Sequence, residues 1–552
     1  MALACMMVTA CGSGGGGDNS GGDLTTQAKM AVPTKAQAEL DAGRLAKQAT
    51  FGATPDLINH IVSIGAKAWL DEQFALSASS YRDLAVAPPL KACASDPVDV
   101  PCYSRLYSRQ NVAMRFYANA VSQPDQLRQR VALALSEFIV ASTDPITDAA
   151  GVAALNQIFL DNAFGNYRDI LLKVTLLGFM GDYLNMSGSQ ARAPSENYAR
   201  EFLQLFTMGP NRLNMDGSLV TDATGAAIPN YTAADIAEAA RALTGWTITK
   251  QGGPAAYQGA NDYTKPMTQV PSAYDTGAKT ILGVTVPAGA SQTDSVTAVV
   301  DAAFNNPSTP PYVARALIGF LVNPNPLPSY VARVAAVFVN NGNGVRGDMK
   351  AVIRAILTDS EARIAPVGTG GGKVKEPILL MTAIARAAGM TTDGYAFILR
   401  DVRMGQPIMQ SPSVFNFYPP NFPLPQSTTL VSPASKLMTA GAIMQRKNLA
   451  YDWTLNYAAM LTGDFAPNPT IAGATGSSID WSGWQALGTD VAAMVDRIDL
   501  IMLNRTMTAA QRTALTSAAG TITDPDPATQ ARMRAQFLIY TVGSSPLFQV
   551  DR

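Results

Sequence analysis

The feature that most narrows the fold is a helical hydrophobic period that begins near residue 36 and persists over most of the chain. The segment 123–141 shows it clearly. Leu127, Val131, Leu135 and Phe138 recur at helical spacing, so one helix face collects them. Ser122 with Asp125 reads as a start signal, and Pro124 suits a first turn, where no N–H is needed. Comparable segments run through 167–177, 197–208, 232–243, 311–322, 329–340, 348–358 and 376–388, with another group after Ser432. The sequence therefore predicts a mainly α fold, a large multi-helix globular body. A Gly/Thr/Pro/Tyr-rich stretch breaks the period twice and predicts an irregular, partly extended insertion around 209–289. The helical domain spans 36–552, a length that has room for two lobes with a boundary near 209–300.

Composition removes whole classes of function. Lys and Arg number 41 against 42 Asp and Glu, a net charge near −1, so no broad basic surface exists to displace counterions from nucleic acid. The chain has one histidine, His60, in the ordinary amphipathic pattern Asp56-Leu57-Ile58-Asn59-His60-Ile61-Val62. His-ligated zinc and copper sites and the facial triad of non-haem iron are therefore excluded. A serine triad would have to use His60, and no Gly-x-Ser-x-Gly elbow supplies its nucleophile. Carboxylates, Lys, Arg, Tyr and oxygen-bound hard metals remain. No cofactor is identified, and a hard divalent cation is the one class left open.

The amino terminus carries an address. Residues 1–11, Met1-Ala2-Leu3-Ala4-Cys5-Met6-Met7-Val8-Thr9-Ala10-Cys11, resemble the signal peptide and lipobox of bacterial lipoproteins, although no Lys or Arg precedes the cysteine. Cys11 is the expected lipidation site. Residues 12–35 are a Gly/Ser-rich flexible tether. The expectation is export with a lipid anchor in the bacterial envelope, and Gly12 after the cysteine favours the outer membrane by analogy. Cleavage would leave Cys93 and Cys102 as the remaining pair. A disulfide between them would close a short Pro/Asp loop, worth about 2–3 kcal/mol. No apolar run reaches the roughly 18 residues that span a bilayer, so membrane contact is expected through the lipid anchor alone.

The densest polar pattern is Glu196-Asn197-Tyr198-Ala199-Arg200-Glu201-Phe202-Leu203-Gln204-Leu205-Phe206. On a helix, Asn197, Arg200, Glu201 and Gln204 share one stripe and apolar side chains cover most of the rest. Two readings are open. The stripe is a structural ion-pair network, with Glu196 one turn before Arg200 in the favoured order. Alternatively, Glu196 and Glu201 are a general acid and base or the ligands of a cation such as calcium or magnesium. A second carboxylate such as Asp182 would then have to come from another helix. Glu137, Arg128 and Arg130 also lie in helical segments and are able to complete a polar interior.

Asp275 and Lys279, four apart around Gly277, read as a turn salt bridge or, less simply, a catalytic pair. The loop Pro412-Ser413-Val414-Phe415-Asn416-Phe417-Tyr418-Pro419-Pro420-Asn421-Phe422-Pro423 either locks onto the helices or offers rings to a sugar or a partner. Arg346-Gly347-Asp348 reads as a turn whose Asp caps the next helix. The glycine-rich 368–374 lacks the first glycine and the hydroxyl residue of a phosphate loop.

Six stretches together resemble the bacterial proteins grouped as domain of unknown function 1800. They are 44–54, 127–136, 196–209, Arg241-Ala242-Leu243-Thr244-Gly245-Trp246, Lys279-Thr280-Ile281-Leu282-Gly283 and 411–419, spread over most of the chain. The resemblance implies an exported, largely helical protein of uncharacterised activity, often encoded beside a sulfatase-like partner. Tyr274 stands where relatives frequently carry histidine before the aspartate, which shifts weight from Asp275 to the Glu196–Glu201 helix. The function expected is a binding or accessory protein of the cell envelope, acting with that partner protein or an extracellular polymer. The alternative is a carboxylate-based hydrolase, metal-assisted or not, acting on polysaccharide or another envelope substrate.

Overall fold

A computed structural model describes residues 34–87, 108–252, 259–364, 372–471 and 473–551. Cys11, the 12–33 part of the tether and the Cys93–Cys102 pairing lie outside the described residues, as does most of 368–374.

The fold is mainly α. Among the described residues, strands occur only as four two-stranded antiparallel pairs, and one contiguous apolar cluster reaches from Ala42 to Phe548. None of the described helices is long and apolar enough to cross a membrane.

The helix Gln126–Phe138 sits at the centre. Its neighbours include Lys35–Ala49, Ala66–Ala75, Gln110–Ser122, Ala149–Asn162 and Thr309–Leu321. Enclosure on all sides buries nearly every residue, including Gln129, Arg130 and Glu137, rather than the single apolar face that the period predicts. Its start also differs. Pro124 lies outside the helix, and the Asp125 carboxylate makes no cap but accepts from the Ser79 N–H and hydroxyl, each at 2.7 Å. A tertiary partner has won over the local one.

Thr309–Leu321, Pro328–Val339 and Met349–Thr358 pack one on the next, and the first of them packs on this centre. Proline in the first turn starts the first two, and Asp348 caps the third by accepting from the Ala351 N–H, as its turn predicts. The helix Pro377–Ala388 is apolar almost all round and correspondingly buried. Just before it, the strand Lys373–Val374 pairs with Val550–Asp551, which fixes the carboxyl-terminal end of the chain beside the helix start.

The segment 209–289 is irregular and partly extended as expected, with isolated bridges such as Leu213 to Leu219 and the hairpin Lys279–Ile281 with Val284–Val286. It also contains the helix Ala233–Ala242. The polar block begins as the helix Asn197–Glu201 and then widens into the π-helix Phe202–Thr207. Thr207 donates its hydroxyl to the Phe202 carbonyl at 2.7 Å in this wide turn. A π-turn adds a residue per turn and rotates the next residues away from the 3.6 stripe.

Gly394 precedes the helix Tyr395–Asp401 at φ 92°, and a Cβ there would lie 2.1 Å from the Met114 carbonyl oxygen. Gly394→Ala should therefore destabilise the fold by about 3 kcal/mol in urea denaturation, combining backbone strain with a steric clash. Gly441→Ala, where nothing lies within 4 Å, should leave stability unchanged or slightly raised.

Candidate functional site

The structure separates the polar residues that the sequence singles out. Glu196 and Arg200 pair with each other at 2.9 Å on the surface, with side chains 46% and 47% exposed. An exposed i, i+4 pair of this kind contributes about 0.3–0.5 kcal/mol. Glu201 is half-buried and makes no ion pair with Arg200: its Oε2 has no hydrogen-bond partner, and burial raises its carboxyl against the pull of Arg200. Its charge is felt by three phenols, Tyr183, Tyr231 and Tyr312. Asp182 instead accepts from the Tyr263 hydroxyl at 2.8 Å, and no hydrogen bond or ion pair joins it to either glutamate.

Asp275 and Lys279 do come together. Arg241 donates to both Asp275 oxygens, at 2.8 and 3.1 Å, and its other edge engages Glu238. Lys279 donates to the Asp275 and Gly277 carbonyls and lies 3.8 Å from the Asp275 carboxylate. The hydrogen bonds from Arg241 hold the Asp275 carboxyl below its ordinary range. This arrangement pins a turn to the helix Ala233–Ala242. Tyr274 is buried beside it, its hydroxyl 2.5 Å from that of Ser295. His60 pairs with Glu72 at the surface, 2.7 Å away. Among the described residues, no group of three or more His, Cys, Asp or Glu side chains is gathered as a metal site.

The chemistry converges elsewhere. A cavity of about 300 Å³ opens between the central helix Gln126–Phe138, the helix Thr309–Leu321, the strand Lys373–Val374 and the aromatic–proline loop. That volume is at the lower end of the range for small-molecule sites. Phe138, Leu205, Tyr312, Phe320 and Val414 give it apolar walls. Phe415, 47% exposed, and Arg315 stand on its rim, and Glu137, Lys373, Asn416, Tyr418 and Ser432 are its buried polar residues.

Each of these groups is placed by a distinct element. Arg130 and Glu137 are two turns apart on the central helix and so share a face. Glu376 is the residue before the helix Pro377–Ala388, and its side chain makes no cap bond, which frees it for the interior. Gln406 follows the helix Tyr395–Asp401, and its amide donates to both carboxyls, to Glu376 at 2.7 Å and to Glu137 at 3.1 Å. The aromatic–proline loop is locked down by Phe417 and Tyr418, which pack with Ala434. The Tyr418 hydroxyl donates to Glu376 at 2.7 Å.

Glu137 and Glu376 also hydrogen-bond each other, which requires a shared proton. Glu137 Oε2 and Glu376 Oε1 receive no N–H or O–H donor, and they are the oxygens left for that bond. Burial and then the charge of Glu376 push Glu137 well above the carboxylate range. Burial opposes ionisation of Glu376 too, but Lys373, the bond from Glu137, Arg130 and Gln406 outweigh it, so Glu376 is the ionised member. Burial and then Arg130 lower the Lys373 ammonium to about 8. Both cations donate to one carbonyl, that of Phe320, and neither has a carboxylate within ion-pair distance among the described residues.

The sequence marked Glu137 and Arg130 as able to complete a polar interior and marked the aromatic loop. It missed Glu376, Lys373 and Gln406. The available signal was Lys373-Val374-Lys375-Glu376-Pro377, a charged run directly before an apolar helix.

The dyad has an asymmetric consequence. Glu137→Gln keeps a neutral donor and needs no proton, whereas unfolded wild type releases that proton above the ordinary glutamate value of about 4.3. Folding must take it up again, so this contribution is lost as pH rises from about 4.3 towards the raised folded value. The melting-temperature advantage of Glu137→Gln over wild type should therefore be larger at about pH 8 than at about pH 4.5. Glu376→Gln removes the nearest anion to Arg130 and Lys373 and should cost about 3–5 kcal/mol in urea denaturation.

No curated protein and no solved structure matches the chain. A sequence model of the family described as "Protein of unknown function (DUF1800)" matches residues 44–550. Since that match covers nearly the whole chain, the protein belongs to the DUF1800 family.

Proposed function

We propose that this chain is an exported, lipid-anchored envelope protein that acts by binding, and that its binding site is the cavity beneath the aromatic–proline loop. One observation carries the reading: an apolar cavity of about 300 Å³ ends on buried charged and polar groups, which is the composition of a small-ligand pocket. The ligand is a small molecule or the end of an extracellular polymer. A sulfatase-like neighbour fits as the partner that supplies or consumes it.

The dyad supports a second reading, the carboxylate-based hydrolase, with Glu137 rather than Glu196 or Glu201 as the acid. Glu137 lines the cavity and holds the proton it shares with Glu376, which is sealed from solvent and would take up the charge as that proton is given. Under this reading Glu137→Gln abolishes turnover yet leaves ligand affinity intact.

The binding reading is tested with the neutral fluorophore N-phenylnaphthylamine. Wild type should enhance its fluorescence saturably. Ala316→Phe, which projects a ring into the cavity from the helix Thr309–Leu321, should weaken this by about tenfold or more with the melting temperature little changed. Enhancement that Ala316→Phe leaves intact would place binding elsewhere. For the anchor, Cys11→Ser should move the protein from the membrane to the soluble fraction of fractionated cells.

A further inference from the structure

We infer that the cavity selects an amphipathic anion, an alkyl chain ending in a carboxylate, whose head group meets Asn416 and Lys373 while the chain lies against the apolar walls. The inference rests on the binding reading above and specifies its ligand.

The first observation is an unused donor. Asn416 is 7% exposed, lines the cavity, and its Nδ2 has no hydrogen-bond partner. A buried amide donor without an acceptor costs free energy that a bound acceptor would recover. The residue is also held at φ 60°, in the left-handed region that asparagine tolerates, so the loop fixes where the amide sits. Lys373, Tyr418, Glu137 and Ser432 are the other buried polar residues that line the cavity. The Lys373 ammonium is satisfied by a single carbonyl, and the Tyr418 hydroxyl is committed to Glu376. Glu137 holds the proton of the carboxyl pair.

The second observation is charge balance. Lys373, which lines the cavity, and Arg130, which shares the Phe320 carbonyl with it, bring two positive charges; the carboxyl pair, sharing one proton, returns one negative charge, and Asp551, paired with Lys375, acts on Lys373 from farther off. Arg130 is 1% exposed, with Nε and Nη1 unpartnered. Arg446, also 1% exposed and also near Glu376, has two further unpartnered nitrogens. The floor therefore carries surplus positive charge in a desolvated setting, where a ligand anion is favoured and a ligand cation is rejected. At the rim, Arg315 is exposed and makes no ion pair among the described residues, so the approach is positive too. The walls are almost entirely apolar, which excludes a small hydrophilic anion as the preferred occupant and calls for a hydrocarbon body.

Isothermal titration calorimetry of the intact protein with decanoate, decanol and decyltrimethylammonium tests this. Decanoate should bind about tenfold or more tightly than decanol, the worth of a charge-assisted hydrogen bond, and the ammonium should bind weakest. Lys373→Met should abolish the preference for decanoate over decanol. Asn416→Gly, which keeps the left-handed backbone, should weaken decanoate by about fivefold or more and leave decanol unchanged. Arg315→Ala, on the rim and remote from the folded interior, should weaken decanoate binding without touching decanol, which keeps the test open if Lys373→Met does not fold. Equal binding of decanoate and decanol, or a preference for the ammonium, overturns the inference while leaving the cavity as a binding site. Loss of N-phenylnaphthylamine binding together with all three amphiphiles overturns the binding reading itself.

Discussion

The amide of Gln406 reaches two buried carboxyl groups at once, and that contact ties together parts of the chain that share no local history. Glu137 comes from the last turn of the central helix, Glu376 from the start of another, Gln406 from a connecting loop and Tyr418 from the aromatic–proline loop. Two glutamates cannot both ionise at such separation out of water, so the pair holds one proton and one charge. The surroundings are set by that single negative charge. It is too little for the cations that face it, and Arg130 and Lys373 are left sharing one backbone carbonyl.

A buried charge set of this kind is a poor source of stability, since desolvation offsets most of the attraction. Its consequence is positional. The Tyr418 bond to Glu376 and the packing of Phe417 hold the aromatic–proline loop down as one wall of the cavity, while Phe415 stays at the rim. The loop thus combines the two roles its sequence leaves open, with buried rings that lock it and an exposed ring that faces solvent. The π-helix Phe202–Thr207 contributes Leu205 to the same cavity, and Tyr312 of the cavity wall donates to the Gln204 carbonyl at 3.1 Å. The polar block that dominates the sequence therefore borders the site without supplying its charged groups.

Helical class was legible because a 3.6 period in apolar residues survives any tertiary arrangement, and most segment boundaries were legible within a few residues for the same reason. Caps were legible where the partner is local, as at Asp348, and misread where it is distant, as at Asp125. Enclosure of the central helix was not legible: spacing marked Arg130 and Glu137 as able to complete a polar interior but could not place them, because the helices that cover them include Thr309–Leu321, distant in sequence. The same limit governed the site. Glu196, Arg200 and Glu201 were conspicuous because they are close in sequence, yet closeness along a helix produced only a surface pair and a half-buried glutamate.

By itself the sequence determined the helical class, the absence of any site built from several histidines and the DUF1800 membership, because composition, period and local motifs need no partner to be read. Tertiary structure alone decided which carboxylates meet. Glu137 and Glu376 are far apart along the chain, and nothing in the spacing of either announces the other. Their shared proton, the surplus of positive charge beside them and the idle donor of Asn416 arise from burial and proximity, which exist only once the chain has packed.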